Sequence, residues 1–353
     1  MNKFLSLAGA IAIASTTLEA QDFHFSQFYN FSAGINPAMA GKMREDVRAG
    51  LIYRNQWRQV GSPYATFGVA ADMNFVNVPA FFGKLGAGIV FVNDEMPDQI
   101  FKNQHIAVSI AMHKSLDAYK RHRISVGLQP GYSRKSFNAL GRYSTSDIDR
   151  NTYQIASSGN SLDPGISGNN NFGAFNLNAG LFYEFIVSDR VSIGLGASMF
   201  NITAPKESVA KSNLANYDPI RLGRRMLGTL NAAFALNDKF TLLPAVLYAY
   251  QAGAMDFNVG TAVGYHLNEQ KDITVFLGGW YRMNDAAIPM IGMQYKHFKG
   301  AFSYDATISS LTDIKNAPEA RGKTVGSYEF TLTYVGFLAR ALPNDVTVPC
   351  RFF

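Results

Sequence analysis

The 353-residue chain offers six histidines, one cysteine and a scatter of charged side chains as raw material for chemistry. The histidines are His24, His105, His113, His122, His266 and His297, and their spacing matches no zinc motif. His113 and His297 sit beside lysine at the ends of apolar segments, which reads as an interfacial position. No Gly-x-Ser-x-Gly stretch marks a nucleophile turn for acyl transfer. The run Gly83-Lys84-Leu85-Gly86-Ala87-Gly88 has the glycines of a phosphate loop, but it lies among alternating residues with no helix pattern after it. Cys350 has no internal partner, so its role is unassigned. These residues point to no catalytic group, no cofactor and no metal.

The charges say more. The net charge is +6, yet the Lys and Arg residues are scattered and form no block of like charge. That pattern reads as a mildly basic surface and gives no nucleic-acid site. Several charges fall on the polar side of alternating segments. By alternation Arg48, Arg54 and Arg58 share one face of the first such segment, and Asp72 lies on the polar face of the second. Glu184, Asp256, Arg282, Asp305 and Glu329 project the same way from later segments. Such a set is a structural network, because charges in a narrow interior must be paired or hydrated, or it lines a solute pathway or a docking pocket.

Charges placed in this way need strands to hold them. Charged residues make up 16% of the chain and aromatic residues 13%, while mean hydropathy is −0.03. Intrinsic disorder needs the opposite balance. A helical membrane bundle needs repeated apolar runs of about 20 residues, and none exists. A disulfide scaffold needs more than one cysteine. After residue 46 the chain repeats segments of alternating apolar and small or polar residues, each ending in a turn signal. In 123–133, Ile124, Val126, Leu128 and Tyr132 oppose Ser125, Gly127, Gln129 and Gly131. About 14 such segments run from 47 to 338, an even number that fits a transmembrane antiparallel β-barrel. The long connections 136–172, 203–223 and 310–325 all fall at one end, and short turns such as Ser188-Asp189 and Asn237-Asp238 fall at the other. The stretch 76–83 is longer than that rule wants. Tyr132, Tyr183, Tyr248, Tyr265, Tyr281 and Tyr334 are candidate girdle aromatics.

Residues 1–20 read as a secretory signal peptide. Lys3 is its positive start, Phe4 to Ser15 its apolar stretch, and Ala20 the small residue before cleavage. The expected organisation is therefore a leader over 1–20, a periplasmic or lumenal segment over 21–46, a barrel over 47–338 and a periplasmic tail over 339–353. The barrel would be integral to the outer membrane and in contact with its lipid.

Several segments resemble one family. The mature start reads Gln21-Asp22-Phe23-His24-Phe25-Ser26-Gln27-Phe28-Tyr29, and Ile35-Asn36-Pro37-Ala38-Met39-Ala40-Gly41 follows. Then come Tyr53-Arg54-Asn55-Gln56-Trp57, Pro63-Tyr64 and Ala71-Asp72. Near the other end stand Phe302-Ser303-Tyr304-Asp305, Gly326-Ser327-Tyr328-Glu329-Phe330 and the tail Cys350-Arg351-Phe352-Phe353. This resembles the type IX secretion system membrane proteins of the PorP/SprF family of Bacteroidetes. The middle of the chain, roughly 90–270, is similar only in strand pattern, and Phe23 and Tyr328 depart from the pattern.

The resemblance implies an outer-membrane barrel that supports secretion or surface attachment of large cargo with C-terminal sorting domains, some of it gliding adhesins. It also implies a link to the periplasmic lipoprotein ring of the secretion machinery. The candidate partner-binding or lumen-network residues are then Phe23, His24, Phe25, Ser26, Gln27, Phe28, Asn36, Pro37, Arg54, Trp57, Asp72, Asp305 and Glu329. The aromatic run at the mature start serves either machine contact or plain packing of the lumen. A porin or solute transporter is the alternative function, and a lipid-modifying barrel enzyme is a third.

Overall fold

The computed structural model describes residues 22–56, 63–78, 83–96, 101–138, 169–206, 221–268, 272–308 and 326–337. The expected leader, Trp57, Arg58 and the tail with Cys350 lie outside these residues. The strands are β1 (Val47–Gln56), β2 (Tyr64–Val78), β3 (Gly83–Glu95), β4 (Phe101–Ser115), β5 (His122–Asn138), β6 (Asn169–Ser188) and β7 (Val191–Phe200). They continue as β8 (Arg225–Ala235), β9 (Phe240–Gln251), β10 (Ala254–His266), β11 (Ile273–Arg282), β12 (Ala286–Tyr295), β13 (Phe298–Thr307) and β14 (Gly326–Gly336). Each pairs antiparallel with its neighbours in sequence, and β1 pairs with β14 to close the barrel. Closure leaves no strand edge with unpaired backbone groups.

The period-2 pattern is the cause of the wall. On β4, Ile106, Val108 and Ile110 face out while His105, Ala107, Ser109 and Ala111 are buried inside. On β5, Val126, Leu128 and Tyr132 face out while Ser125 and Gln129 are buried. Tyr248, Tyr265, Tyr281 and Tyr334 are also exposed outward, and Tyr183 is hydrogen-bonded to the His122 ring there at 2.7 Å.

The three longest connections, 139–168, 201–224 and 308–325, join strands at the same end of the barrel. We call this the long-loop end. Six shorter connections define the short-turn end, where β1 starts and β14 finishes. The stretch 76–83 is shorter than the sequence pattern implies. β2 runs to Val78 through a register shift after Phe75, and β3 starts at Gly83, so the connection is 79–82.

Residues 22–46 fill the interior as a plug. A 3-10 turn (Phe28–Asn30), a single helical turn (Ser32–Ile35) and a second 3-10 turn (Pro37–Met39) give it its shape. The Asn36 side chain caps the last of these by accepting from the Ala38 amide at 2.9 Å, and Pro37 pre-sets the backbone angle at its first position. Phe25 and Phe31 pack edge to face at 5.3 Å between rings, against Ile52, Ala70, Val90 and Val92 of the wall. Phe28 and Tyr29 join the larger cluster with Phe182, Leu247 and Trp280. The Tyr29 ring stacks on Trp280 at 4.6 Å.

Wall glycines make room for the plug. A Cβ on Gly127 would strike the backbone of Pro37 and Ala38, and one on Gly86 would strike that of Ala40. The inward glycines are therefore seats for chain, which explains why the polar face is rich in glycine without being an open channel. Gly127→Ala should push the plug backbone off the wall and cost about 1–3 kcal/mol, the range for overpacking. A lowered unfolding midpoint of the detergent-solubilised barrel checks this, with Gly228→Ala, where nothing lies near the added methyl, as the neutral control.

Candidate functional site: the clamped plug

The plug crosses the whole barrel. Its amino end lies at the long-loop end, where the Asp22 amide donates to Gln251 Oε1 at 2.9 Å and Asp22 Oδ2 accepts from Asn201 Nδ2 at 2.6 Å. Its other end lies at the short-turn end, where the Asp46 amide donates to Gly336 O at 3.0 Å. Ionic groups hold it near both ends.

At the long-loop end Ser26 sits between four wall charges. Its hydroxyl donates to Asp305 Oδ2 at 2.7 Å and accepts from Arg54 Nη1 at 3.1 Å and Arg282 Nη2 at 2.6 Å. Both guanidinium groups also reach Asp305 Oδ2, at 2.9 and 3.0 Å. The Glu329 carboxylate accepts the Ser26 amide at 2.9 Å and the Gln27 amide at 2.6 Å. The Gln27 side chain donates to Ser303 Oγ and Glu329 O, and it accepts from Thr331 Oγ1 at 2.8 Å. Arg54, Arg282, Asp305 and Glu329 are all at most 4% exposed. Arg54 pairs with Asp305 and Glu329, and Arg282 pairs with Asp305 and Asp285, and such pairing is the condition under which burial is tolerated.

At the short-turn end Asp72 takes a forked pair from Arg48, at 2.9 and 2.7 Å, and the Gly41 amide at 2.7 Å. Arg48 also donates to Met39 O. Lys42 of the plug pairs with Glu184 at 2.7 Å, and Arg123 approaches the same carboxylate at 3.3 Å. Between the clamps the Asn36 side chain donates to Leu181 O at 3.0 Å, and Pro37 lies against Gly127.

Of the residues singled out from sequence, the structure brings Ser26, Gln27, Arg54, Asp305 and Glu329 into one network. Asp72 belongs to a separate clamp. Phe25 and Phe28 belong to the two apolar clusters, and Phe23 packs against the first of them. His24 contributes its carbonyl oxygen, which accepts from Arg54 at 3.2 Å. Burial and the positive charges of Arg54, Arg282 and Arg225 hold its imidazole pKa well below the usual value, so it stays neutral. Burial also raises the Tyr29 hydroxyl pKa well above its ordinary value.

Some partners escaped sequence reasoning. Lys42 carries no alternation signal because the plug is not a strand. His113 is not interfacial: it faces inward, and its ring is hydrogen-bonded to Ser125 Oγ at 2.8 Å and to Ala40 O of the plug at 2.9 Å. Its inward position follows from the same alternation that places His105 and Ser109. Among the described residues no cluster of His, Cys, Asp and Glu is placed to hold a metal.

The comparisons fit this architecture. The profile of the family described as type IX secretion system membrane protein PorP/SprF matches residues 17–334. The chain belongs to that family of type IX secretion system membrane proteins. No curated protein sequence matches it. Among solved structures it is similar to the Ralstonia pickettii toluene transporter TbuX, with a TM-score of 0.52 and 11% identity over 88% of this chain and 94% of that one. A Pseudomonas aeruginosa FadL homologue gives 0.53 and 10% over 86% and 94%. The P. putida toluene transporter TodX gives 0.51 and 10% over 88% and 94%. At such identities the likeness is one of fold.

Two predictions follow from the clamp geometry. Arg54→Ala takes the cation from Glu329 and leaves Asp305 with Arg282 alone, and should cost about 3–5 kcal/mol. Adding Glu329→Gln should recover part of that loss, as read from urea unfolding in detergent. Separately, His24 binds a proton more readily in the undocked plug than in the docked one. Plug docking should therefore weaken as pH falls through the ordinary histidine value of 6.5. Protease protection of the plug across that range checks the sign, and His24→Gln should reduce the slope.

Proposed function

We propose that this membrane protein resides in the outer membrane and is a non-catalytic, plugged platform. It supports secretion or surface attachment of cargo proteins with C-terminal sorting domains, gliding adhesins among them. It works with the type IX machinery, including components of its periplasmic lipoprotein ring. The observation that carries this reading is the filled lumen: a chain segment clamped near both ends occupies the space that a solute would need. Membership of the secretion family supplies the system in which the platform acts.

In this reading the leader over residues 1–20, cleaved near Ala20, brings the chain to the periplasm. The long-loop end faces the cell exterior and offers the cargo surface. The short-turn end faces the machinery, and the surrounding wall meets outer-membrane lipid.

The second reading is a porin or solute transporter. It draws on the likeness to proteins described as toluene transporters. The inner face here is unlike a path for an apolar solute, since Arg54, Arg282, Asp305 and Glu329 cross it together with the plug.

Two experiments separate these readings. Purified protein in planar bilayers should show no steady single-channel conductance, and stable open steps would favour transport. A deletion strain should fail to secrete a sorting-domain cargo or should shed it from the surface. Normal cargo display in that strain contradicts the platform.

A further inference from the structure

A cavity of about 200 Å³ lies at the long-loop end, between the amino end of the plug and the wall. The argument uses four of its lining residues: Asp22 of the plug, and Arg225, Asp256 and Arg282 of β8, β10 and β11. Most polar groups deeper in the plug meet partners directly. Here Arg225 and Asp22 carry opposite charges yet, among the described residues, form no ion pair.

Among the described residues the Arg225 side chain forms one hydrogen bond, from Nη1 to Phe23 O at 2.9 Å, and no ion pair. Asp22 accepts only from the amides of Asn201 and Gln251, so it has no cationic partner. Asp256 Oδ1 faces Arg282 Nε at 3.7 Å, beyond hydrogen-bond reach, and both atoms are buried without a hydrogen-bond partner. The rest of the Arg282 guanidinium is spent on Asp285, Asp305 and Ser26. One further group lies beside the cavity without lining it. Asn258 is the next inward residue on β10 and stands opposite Arg282 in the strand register. It is 1% exposed, and neither its amide oxygen nor its nitrogen has a partner. Buried polar groups left open in this way mark places where water or a ligand belongs.

We propose that this cavity binds a small zwitterion carrying a free ammonium and a free carboxylate, of amino-acid or dipeptide size. The Arg225 guanidinium is a planar fork that matches a carboxylate. Asp22 and Asp256 offer carboxylate oxygens to an ammonium. A solute with both groups spans the cavity and pairs each end, which neither a simple anion nor a simple cation does. The site stands apart from the secretion reading and does not depend on it.

The test is isothermal titration of the full detergent-solubilised protein with glycine, glycylglycine and uncharged N-acetylglycinamide. Saturable heat is expected with glycine or glycylglycine and none with N-acetylglycinamide. The tighter of the two zwitterions tells whether a free amino acid or a peptide is the source. Arg225→Gln and Asp256→Asn should each weaken binding at least tenfold. Arg225 also holds the Phe23 carbonyl, so Asp256→Asn keeps the test valid if the first variant loosens the plug. Absence of saturable binding by either zwitterion overturns the proposal. So does equal binding of N-acetylglycinamide, or undiminished binding by Asp256→Asn.

Discussion

A barrel of 14 strands encloses more space than its own inward side chains can fill. Barrels of about eight strands pack their interiors with wall residues alone, whereas wider ones carry water or a separate plug. This chain meets the constraint with its own amino-terminal segment. The rest of the structure follows from that choice. The wall carries glycines where the plug backbone lies against it, apolar pockets for Phe25, Phe28, Tyr29 and Phe31, and charged groups where the plug needs fixing. The outer face carries the apolar side chains that suit lipid.

The clamps differ in kind. The long-loop clamp gathers Arg54, Arg282, Asp305 and Glu329 around one serine hydroxyl and two backbone amides, and Arg282 carries it on to Asp285. It fixes the register of the plug, because a shift of one residue would replace Ser26 with Phe25 or with the longer Gln27 among four buried charges. The short-turn clamp splits into the Arg48–Asp72 fork and the Lys42–Glu184 pair. Aromatic packing between them supplies the non-directional part of the binding. A plug held by ions near its ends and by rings in its middle is well placed to stay seated.

The strands were legible in the sequence because alternation is a local signal. The segment 123–133 shows it plainly, and it lines the wall as read. The same alternation placed Arg48, Arg54, Asp72, Glu184, Asp305 and Glu329 inside. What alternation does not carry is partnership across the lumen. Lys42 meets Glu184 across 142 positions, and Ser26 meets Glu329 across 303. Such contacts depend on barrel closure and on how strands stagger around it, which no local pattern encodes. The plug itself has no period at all. Its short turns are shaped by the wall, and its aromatic run fits packing as well as docking until the partner surfaces are in view. His113 shows the remaining gap: its lysine neighbour suggested an interface, whereas its parity on β4 sent it to Ala40.

The central claim is that residues 22–46 are an integral part of the folded barrel. Hydrogen–deuterium exchange of the purified protein, read by mass spectrometry on peptides covering this segment, tests it most directly. The Ser26, Gln27 and Gly41 amides donate to the Glu329 and Asp72 carboxylates. The account predicts that these amides exchange as slowly as those of the wall strands. Exchange at the rate of an unstructured chain, with the wall still protected, would contradict it.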